Sequence, residues 1–350
     1  MSAIQSLIDA GTKLYLDSVD PEEITKNLAW GAVGATSNPA IISEIIARGL
    51  LDSQIESLLA EGKSDEEIAW ALTDHLVSEA ERRFLSGWME TAGNAGWVSF
   101  ELDPLLEDPT MGLADAERTA KYIELGKFWS EGHSNRMIKV PATPAGIAAL
   151  EDLAAAGVPL NVTLIFTVDQ YRQAREAIWR GAERLDLMTD FKSVYSIFVS
   201  RIDVYTAAAV PQLSDAAQGQ VGIVNAKQIW AENEEFWADK STRLEQEIIF
   251  ASTGTKDPNE PPWKYVAALA GSDIQTNPPQ TNQAVADSDL QFDKQVDQLP
   301  PPPVLEEIRE QVDIAAMHKQ LMAEGVDKFV KPQIALLDLI KEKRRVLASS

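Results

Sequence analysis

Lys139 lies in Met137-Ile138-Lys139-Val140-Pro141, a lysine enclosed by apolar neighbours. A short apolar run of this kind predicts a buried strand. Burial disfavours an ammonium, so a neutral amine comes within reach near neutral pH. A neutral amine attacks a ketone to form an imine, and the imine then serves as an electron sink for making or breaking a carbon–carbon bond. The plainer use of such a residue is a strand-end lysine that packs its stem and extends its head to water. Two acids stand in comparable places. Asp17 closes Lys13-Leu14-Tyr15-Leu16-Asp17, where it can exchange a proton with a substrate hydroxyl or cap a helix, although Asp20 before Pro21 is itself a good cap. Glu101 ends Val98-Ser99-Phe100-Glu101 and can move protons through a water or serve as a paired surface acid. Asn38 precedes Pro39, which biases it to an extended backbone; its amide can point into a pocket or cap the following helix.

These residues need a scaffold that brings strand ends together. Short apolar segments predict strands at Lys13–Asp17, Ala32–Thr36, Gly96–Glu101, Met137–Val140, Pro159–Phe166, Val194–Val199, Glu247–Ala251 and Ala270–Ile274. Amphipathic stretches lie between them, such as Ile55, Leu58 and Leu59, or Tyr171, Ala174, Ile178 and Ala182. Eight strands alternating with helices read as α/β, a (β/α)8 TIM barrel formed by residues 1–350 as one domain. A doubly wound open sheet is the rival, but no Gly-x-Gly-x-x-Gly turn follows the first strand. Polar residues recur where the strands finish: Asp17, Asn38, Glu101, Lys139, Asn161 with Thr163, Ser196 and Ser252. In a barrel those ends share one face, where active sites sit. The polar segment 276–303 ends in consecutive prolines, Pro300 to Pro303, and reads as a long loop. Additional helices are expected at Val304–Gly325 and Lys331–Val346, with Pro332 opening the second.

Composition narrows the partners. The chain of 350 residues holds 54 acidic and 31 basic side chains, a formal charge of −23. Such a surface repels nucleic acid and anionic lipid, so neither is expected. A phosphorylated substrate would need local cations to overcome that background. Without cysteine, disulfides, thiolate metal sites and a cysteine nucleophile are excluded. The histidines His75, His133 and His318 show no helical ligand spacing, so no zinc site is expected. No signal peptide or membrane-length apolar run is visible, which fits a cytoplasmic protein.

Several segments together resemble the transaldolase family. Gly34-Ala35-Thr36-Ser37-Asn38-Pro39-Ala40-Ile41-Ile42 is similar to its first signature, and Ile138-Lys139-Val140-Pro141-Ala142-Thr143-Pro144-Ala145-Gly146-Ile147 to its second. Leu16-Asp17-Ser18, Ser99-Phe100-Glu101-Leu102-Asp103, Asn161-Val162-Thr163-Leu164-Ile165-Phe166, Ser196-Ile197-Phe198-Val199-Ser200-Arg201, Ala251-Ser252-Thr253-Gly254-Thr255-Lys256 and Glu324-Gly325-Val326-Asp327-Lys328-Phe329 follow the family's order. The resemblance implies a Schiff base on Lys139 and transfer of a dihydroxyacetone unit, with no metal or other cofactor. The donor would be sedoheptulose 7-phosphate or fructose 6-phosphate, and the acceptor glyceraldehyde 3-phosphate or erythrose 4-phosphate, in the non-oxidative pentose phosphate pathway. It implies that Asp17 takes and returns the C4 hydroxyl proton, and that Glu101 and Thr163 hold a proton-shuttling water. Asn38, Asn161 and Ser196 would hold the dihydroxyacetone hydroxyls; Arg201, Ser252 and Lys256 would bind phosphate. Three departures stand out. Arg136 occupies a usually apolar place, Lys256 stands where other branches have arginine, and Asp273-Ile274-Gln275-Thr276-Asn277-Pro278 only partly follows the family's Asp-Thr-Val-Asn-Thr-Met-Pro.

The expectation is therefore a transaldolase acting on small sugar phosphates as a monomer or homodimer. A fructose-6-phosphate aldolase-type lyase and a catalytically silent scaffold are the competing readings. The former turns over without an acceptor, and the latter forms no imine.

Overall fold

A computed structural model describes residues 2–185 and 191–347. Its strands are β1 (Lys13–Leu16), β2 (Gly34–Thr36), β3 (Val98–Glu101), β4 (Arg136–Pro141), β5 (Leu160–Ile165), β6 (Ser193–Phe198), β7 (Glu247–Ala251) and β8 (Ile274–Asn277). They pair in parallel and in sequential order into a closed barrel, β8 returning to β1. Helices cover the outside, so the strands are buried on both faces and read as apolar runs. The chain turns from strand to helix through local caps. Asp20 before Pro21, Asn38 before Pro39 and Thr143 before Pro144 each accept from a backbone N–H of the first turn, with proline at the first helical position. Gly34 has a packing reason: a Cβ there would come within 2.3 Å of the Tyr15 ring.

Three expectations need correction. The eighth strand is Ile274–Asn277 and not Ala270–Ile274. Gly271, at φ +112°, and Asp273, at φ +54°, form the turn before it. The polar residues of this strand hid it, yet most of their polar groups find partners in the interior, the buried Gln275 Oε1 being left without one. Gln275 donates to the Val266 carbonyl (3.1 Å), and Asn277 bonds to Thr253 (2.6 Å) and Asn282 (3.0 Å). The segment 276–303 is likewise not all loop. It contains the end of β8, the helix Pro279–Ala286 and the start of the helix Pro302–Gln311. Between those helices the chain runs along the outside of the barrel, burying Phe292 and Val296 and bonding Gln295 and Val296 to the Ala270 carbonyl.

The C-terminal helices also divide differently. Val312 is extended and Asp313 accepts from Ala316 N–H (2.9 Å), so one helix ends at Gln311 and the next runs Ile314–Leu347. Neither Gly325 nor Pro332 interrupts it. Gly325 serves close packing, since a Cβ there would lie 3.1 Å from Leu164 Cδ2. Buried Phe329, Val330, Leu336 and Ile340 hold the helix through Pro332, tertiary packing overriding local propensity.

Arg136, at the start of β4, is fully buried on the outer side of the barrel. Its guanidinium meets Glu81 (2.5 Å), Asp74 (2.7 Å) and Ser78 (3.0 Å) of the helix Asp65–Glu90 and lies 4.7 Å from the Phe100 ring centroid. The polar departure in the lysine strand is thus a clamp between barrel and helix. Removing one partner of a buried pair leaves an uncompensated charge. Arg136→Ala is expected to lower unfolding stability by about 3–5 kcal/mol in urea titration, with Arg136→Met less damaging if Glu81→Leu accompanies it.

Candidate active site

The register of three neighbouring strands builds the centre. Glu101 pairs with Lys139 across β3 and β4, and Lys139 with Asn161 across β4 and β5. Lys139 is only 6% exposed. Its ammonium donates to Glu101 Oε2 (2.8 Å) and to the Ser37 carbonyl (3.2 Å), and lies 5.2 Å from the Phe329 ring centroid. Burial pushes the Glu101 carboxyl up to about 7, against the downward pull of the Lys139 ammonium. A carboxyl of that acidity exchanges its proton readily at neutral pH, as a general acid and base requires.

Asp17 follows β1 and is anchored through its N–H to the Asn277 carbonyl (2.9 Å). Capping of the next helix falls to Asp20, which leaves the Asp17 carboxylate for the barrel mouth. Its Oδ1 accepts from Thr36 (2.8 Å), whose hydroxyl is also 3.0 Å from that of Thr276. Asn38 combines both uses expected of it: Oδ1 caps the helix Pro39–Ala47 through Ile41 N–H (3.1 Å), while the residue lines the pocket. Its NH2 group remains the uncommitted donor. Asn161 is wholly buried and sits behind the wall. It donates to Ser99 Oγ (2.9 Å) and accepts from Ser196 Oγ (2.7 Å). With that proton committed, Ser196 offers lone pairs to a ligand hydroxyl. The β5–β6 register shifts between Val162 and Ile165, and Leu164 there adopts φ +58°. Such irregularities commonly re-aim side chains beside functional sites. Here Thr163 lines the pocket with a buried hydroxyl that has no hydrogen-bond partner.

The pocket encloses about 310 Å³, and its other end is cationic. Arg201, from the helix Ser200–Ala209 after β6, carries a buried Nη1 without a partner and stacks 4.8 Å from the Phe198 ring centroid. Burial draws its basicity down, with Asp17, Glu324 and Glu101 opposing. Lys256 follows β7 and is drawn down by burial and then by the charges of Arg201 and Lys328. Ser252, at φ +55°, bonds to Ser200 Oγ (2.9 Å) on the same wall. An unpartnered buried guanidinium nitrogen among like charges is a place for an anion.

Of the residues singled out from sequence, Asp17, Asn38, Lys139, Thr163, Ser196, Arg201, Ser252 and Lys256 line this pocket. Glu101 stands behind Lys139, and Asn161 behind Ser196. Sequence reasoning gave no role to Thr36, Phe198, Thr276, Lys328 or Phe329, which also line it. Thr36, Phe198, Lys328 and Phe329 lay inside quoted motifs, so that signal was present; Thr276 was masked by the polar composition of β8. Among the described residues, no group of three or more His, Asp or Glu could hold a metal ion, and no helix is long and apolar enough to cross a membrane.

Comparison with known proteins adds an independent line. The family profile described as Transaldolase/Fructose-6-phosphate aldolase matches residues 14–340. The chain is 33% identical to a transaldolase of Thermobifida fusca, over 98% of each chain. It is 32% identical to a transaldolase of Saccharopolyspora erythraea, again over 98% of each. It is 31% identical to a transaldolase of Trichodesmium erythraeum, over 91% of this chain and 89% of the relative.

The opposing effects on Glu101 can be separated by experiment. Its carboxyl, followed by carbon NMR or difference infrared spectroscopy, is expected to titrate near 7. In Lys139→Met the ammonium's pull is gone while burial remains, so the midpoint is expected to move further upward. A midpoint in the ordinary glutamate range in both proteins would contradict the burial argument.

Proposed function

The chain belongs to the transaldolase/fructose-6-phosphate aldolase family, and from that premise we propose that it is a transaldolase working through an imine on Lys139. The donor is sedoheptulose 7-phosphate or fructose 6-phosphate; the acceptor is glyceraldehyde 3-phosphate or erythrose 4-phosphate, as in the non-oxidative pentose phosphate pathway. The observation that carries this reading is a buried lysine amine paired to a high-pKa glutamate, at a pocket that also holds Asp17 and a cationic far end.

In the proposed cycle the Lys139 amine, relieved of its proton, adds to the donor's C2 carbonyl. Glu101 supplies the proton that lets the carbinolamine oxygen leave as water, relayed by a water held against Thr163. The partnerless Thr163 hydroxyl supports such a water. The Asp17 carboxylate then takes the C4 hydroxyl proton. The C3–C4 electron pair flows into the iminium, leaving an enamine on Lys139 and releasing the aldose phosphate. Addition to the acceptor aldehyde reverses these movements, with Asp17 returning the proton to the new hydroxyl. Asn38 donates to, and Ser196 accepts from, the hydroxyls of the retained unit, with Asn161 fixing the Ser196 proton. Arg201, Ser252 and Lys256 hold the phosphate. Their pre-set positions replace solvent reorganisation at the moment of reaction. Metal and redox cofactors have no part in this reading. Sugar phosphates are too polar to cross membranes unaided, which supports a cytoplasmic setting; the acting species is a monomer or homodimer.

Borohydride reduction in the presence of fructose 6-phosphate is expected to add a reduced dihydroxyacetone unit to the peptide bearing Lys139. Labelling that survives in Lys139→Met would displace the nucleophile. Asp17→Asn is expected to lower turnover on the order of 10²–10⁴-fold while imine trapping persists, because the lost step follows imine formation. Fructose 6-phosphate alone should give no sustained turnover; steady release of dihydroxyacetone without an acceptor would make the enzyme a lyase instead.

A further inference from the structure

Lys328 belongs to the long C-terminal helix Ile314–Leu347, outside the repeating strand–helix units, yet it lines the barrel-mouth pocket beside Arg201 and Lys256. It is exposed at the rim, one residue before the buried Phe329 that packs over Lys139. Its position is fixed from below, because Gly325 lets the helix lie against Leu164 and Phe166 at the end of β5.

The charge arrangement there is unusual for this chain. With 54 acidic side chains for 31 basic ones, most cations have a carboxylate available. Lys331, on the same helix, is paired with Asp327. Arg201, Lys256 and Lys328 have no ion-pair partner among the described residues, although Glu324 and Asp17 are near enough to act on Arg201. Three like charges at one end of one cavity repel one another and raise the free energy of the empty site. The buried Arg201 Nη1 adds a donor with nothing to accept from it. Both features are relieved by one doubly charged anion.

We propose that Lys328 is a specificity-determining residue: the third cation of the phosphate subsite, carried in by the C-terminal helix, which reads the phosphate ester of donor and acceptor alike. This rests on the sugar-phosphate reading above. Arg201 supplies a planar donor set deep in the pocket, whereas the ammonium of Lys328 is a mobile point charge at the entrance. It therefore acts on capture and retention of the ester and not on the proton transfers at Lys139. On a protein of charge −23 it also offsets, locally, the repulsion an incoming phosphate meets.

The test uses the full-length protein with Lys328→Met and Lys328→Arg. Turnover is measured with fructose 6-phosphate and erythrose 4-phosphate, then with the unphosphorylated pair fructose and erythrose. Binding of inorganic phosphate is measured by calorimetry. In Lys328→Met, KM for both phosphorylated substrates and the phosphate dissociation constant are expected to rise on the order of tenfold, the scale of a charge-assisted contact. The corresponding loss with the unphosphorylated pair should be several-fold smaller, and Lys328→Arg should recover most of the phosphate affinity. An equal loss on both substrate pairs, or phosphate affinity unchanged in Lys328→Met, overturns the proposal. Because calorimetry does not need turnover, the two readings fail separately. An inactive wild type that binds phosphate through Lys328 sinks only the transferase assignment; an active one whose phosphate affinity ignores Lys328 sinks only this inference.

Discussion

The buried contact between Lys139 and Glu101 sets the terms for the rest of the molecule. An ammonium and a carboxylate taken from water together lose solvation that their attraction only partly restores. The pair survives here because adjacent strands hold both residues in register and the Ser37 carbonyl accepts a further hydrogen bond. The same desolvation raises the Glu101 carboxyl to about 7. The barrel is thus a device for keeping an amine and an acid close and dry.

Around this pair the protein separates two kinds of polarity. Near Lys139 the pocket is lined by neutral hydrogen-bonding groups such as Ser196, whose proton is allotted through the run Ser99–Asn161–Ser196 behind it. Neutral groups fix orientation without disturbing the charge on the Lys139 nitrogen. The opposite end concentrates Arg201, Lys256 and Lys328, which form no ion pair among the described residues. An acidic exterior keeps the protein soluble and self-repelling, but it demands that recognition of an anion be local. The C-terminal helix contributes to both ends, setting Phe329 against Lys139 and Lys328 at the rim.

Stability and function share the lysine strand. Its first residue, Arg136, points outward into a buried cluster with Glu81 and Asp74; three positions later Lys139 points into the barrel mouth. Both are basic residues in an otherwise apolar strand, and only their partners distinguish a clamp from a group that lines the pocket. That distinction follows from which neighbouring element faces each side of the strand.

Much of this was legible in the residues themselves. Seven of the eight strands lie where apolar runs were found, because a parallel barrel buries each strand on both faces and leaves a continuous hydrophobic signal. The caps at Asp20 and Asn38, and the polar residues closing the strands, are local features that the chain carries with it. The tertiary structure alone decided the rest. β8 escaped because its threonine and asparagine are stabilised by groups far away in sequence, among them Thr36 and, through Asn282, Asn27. The continuity of the last helix through Gly325 and Pro332 was decided by packing against the barrel, against the local preference to stop. The pairing of Lys139 with Glu101, the screening of Asn161 behind Ser196, and the arrival of Lys328 at the pocket all depend on register and docking. A sequence pattern reports what a residue can satisfy with its near neighbours; burial, and the partners that make burial tolerable, exist only once the barrel has closed.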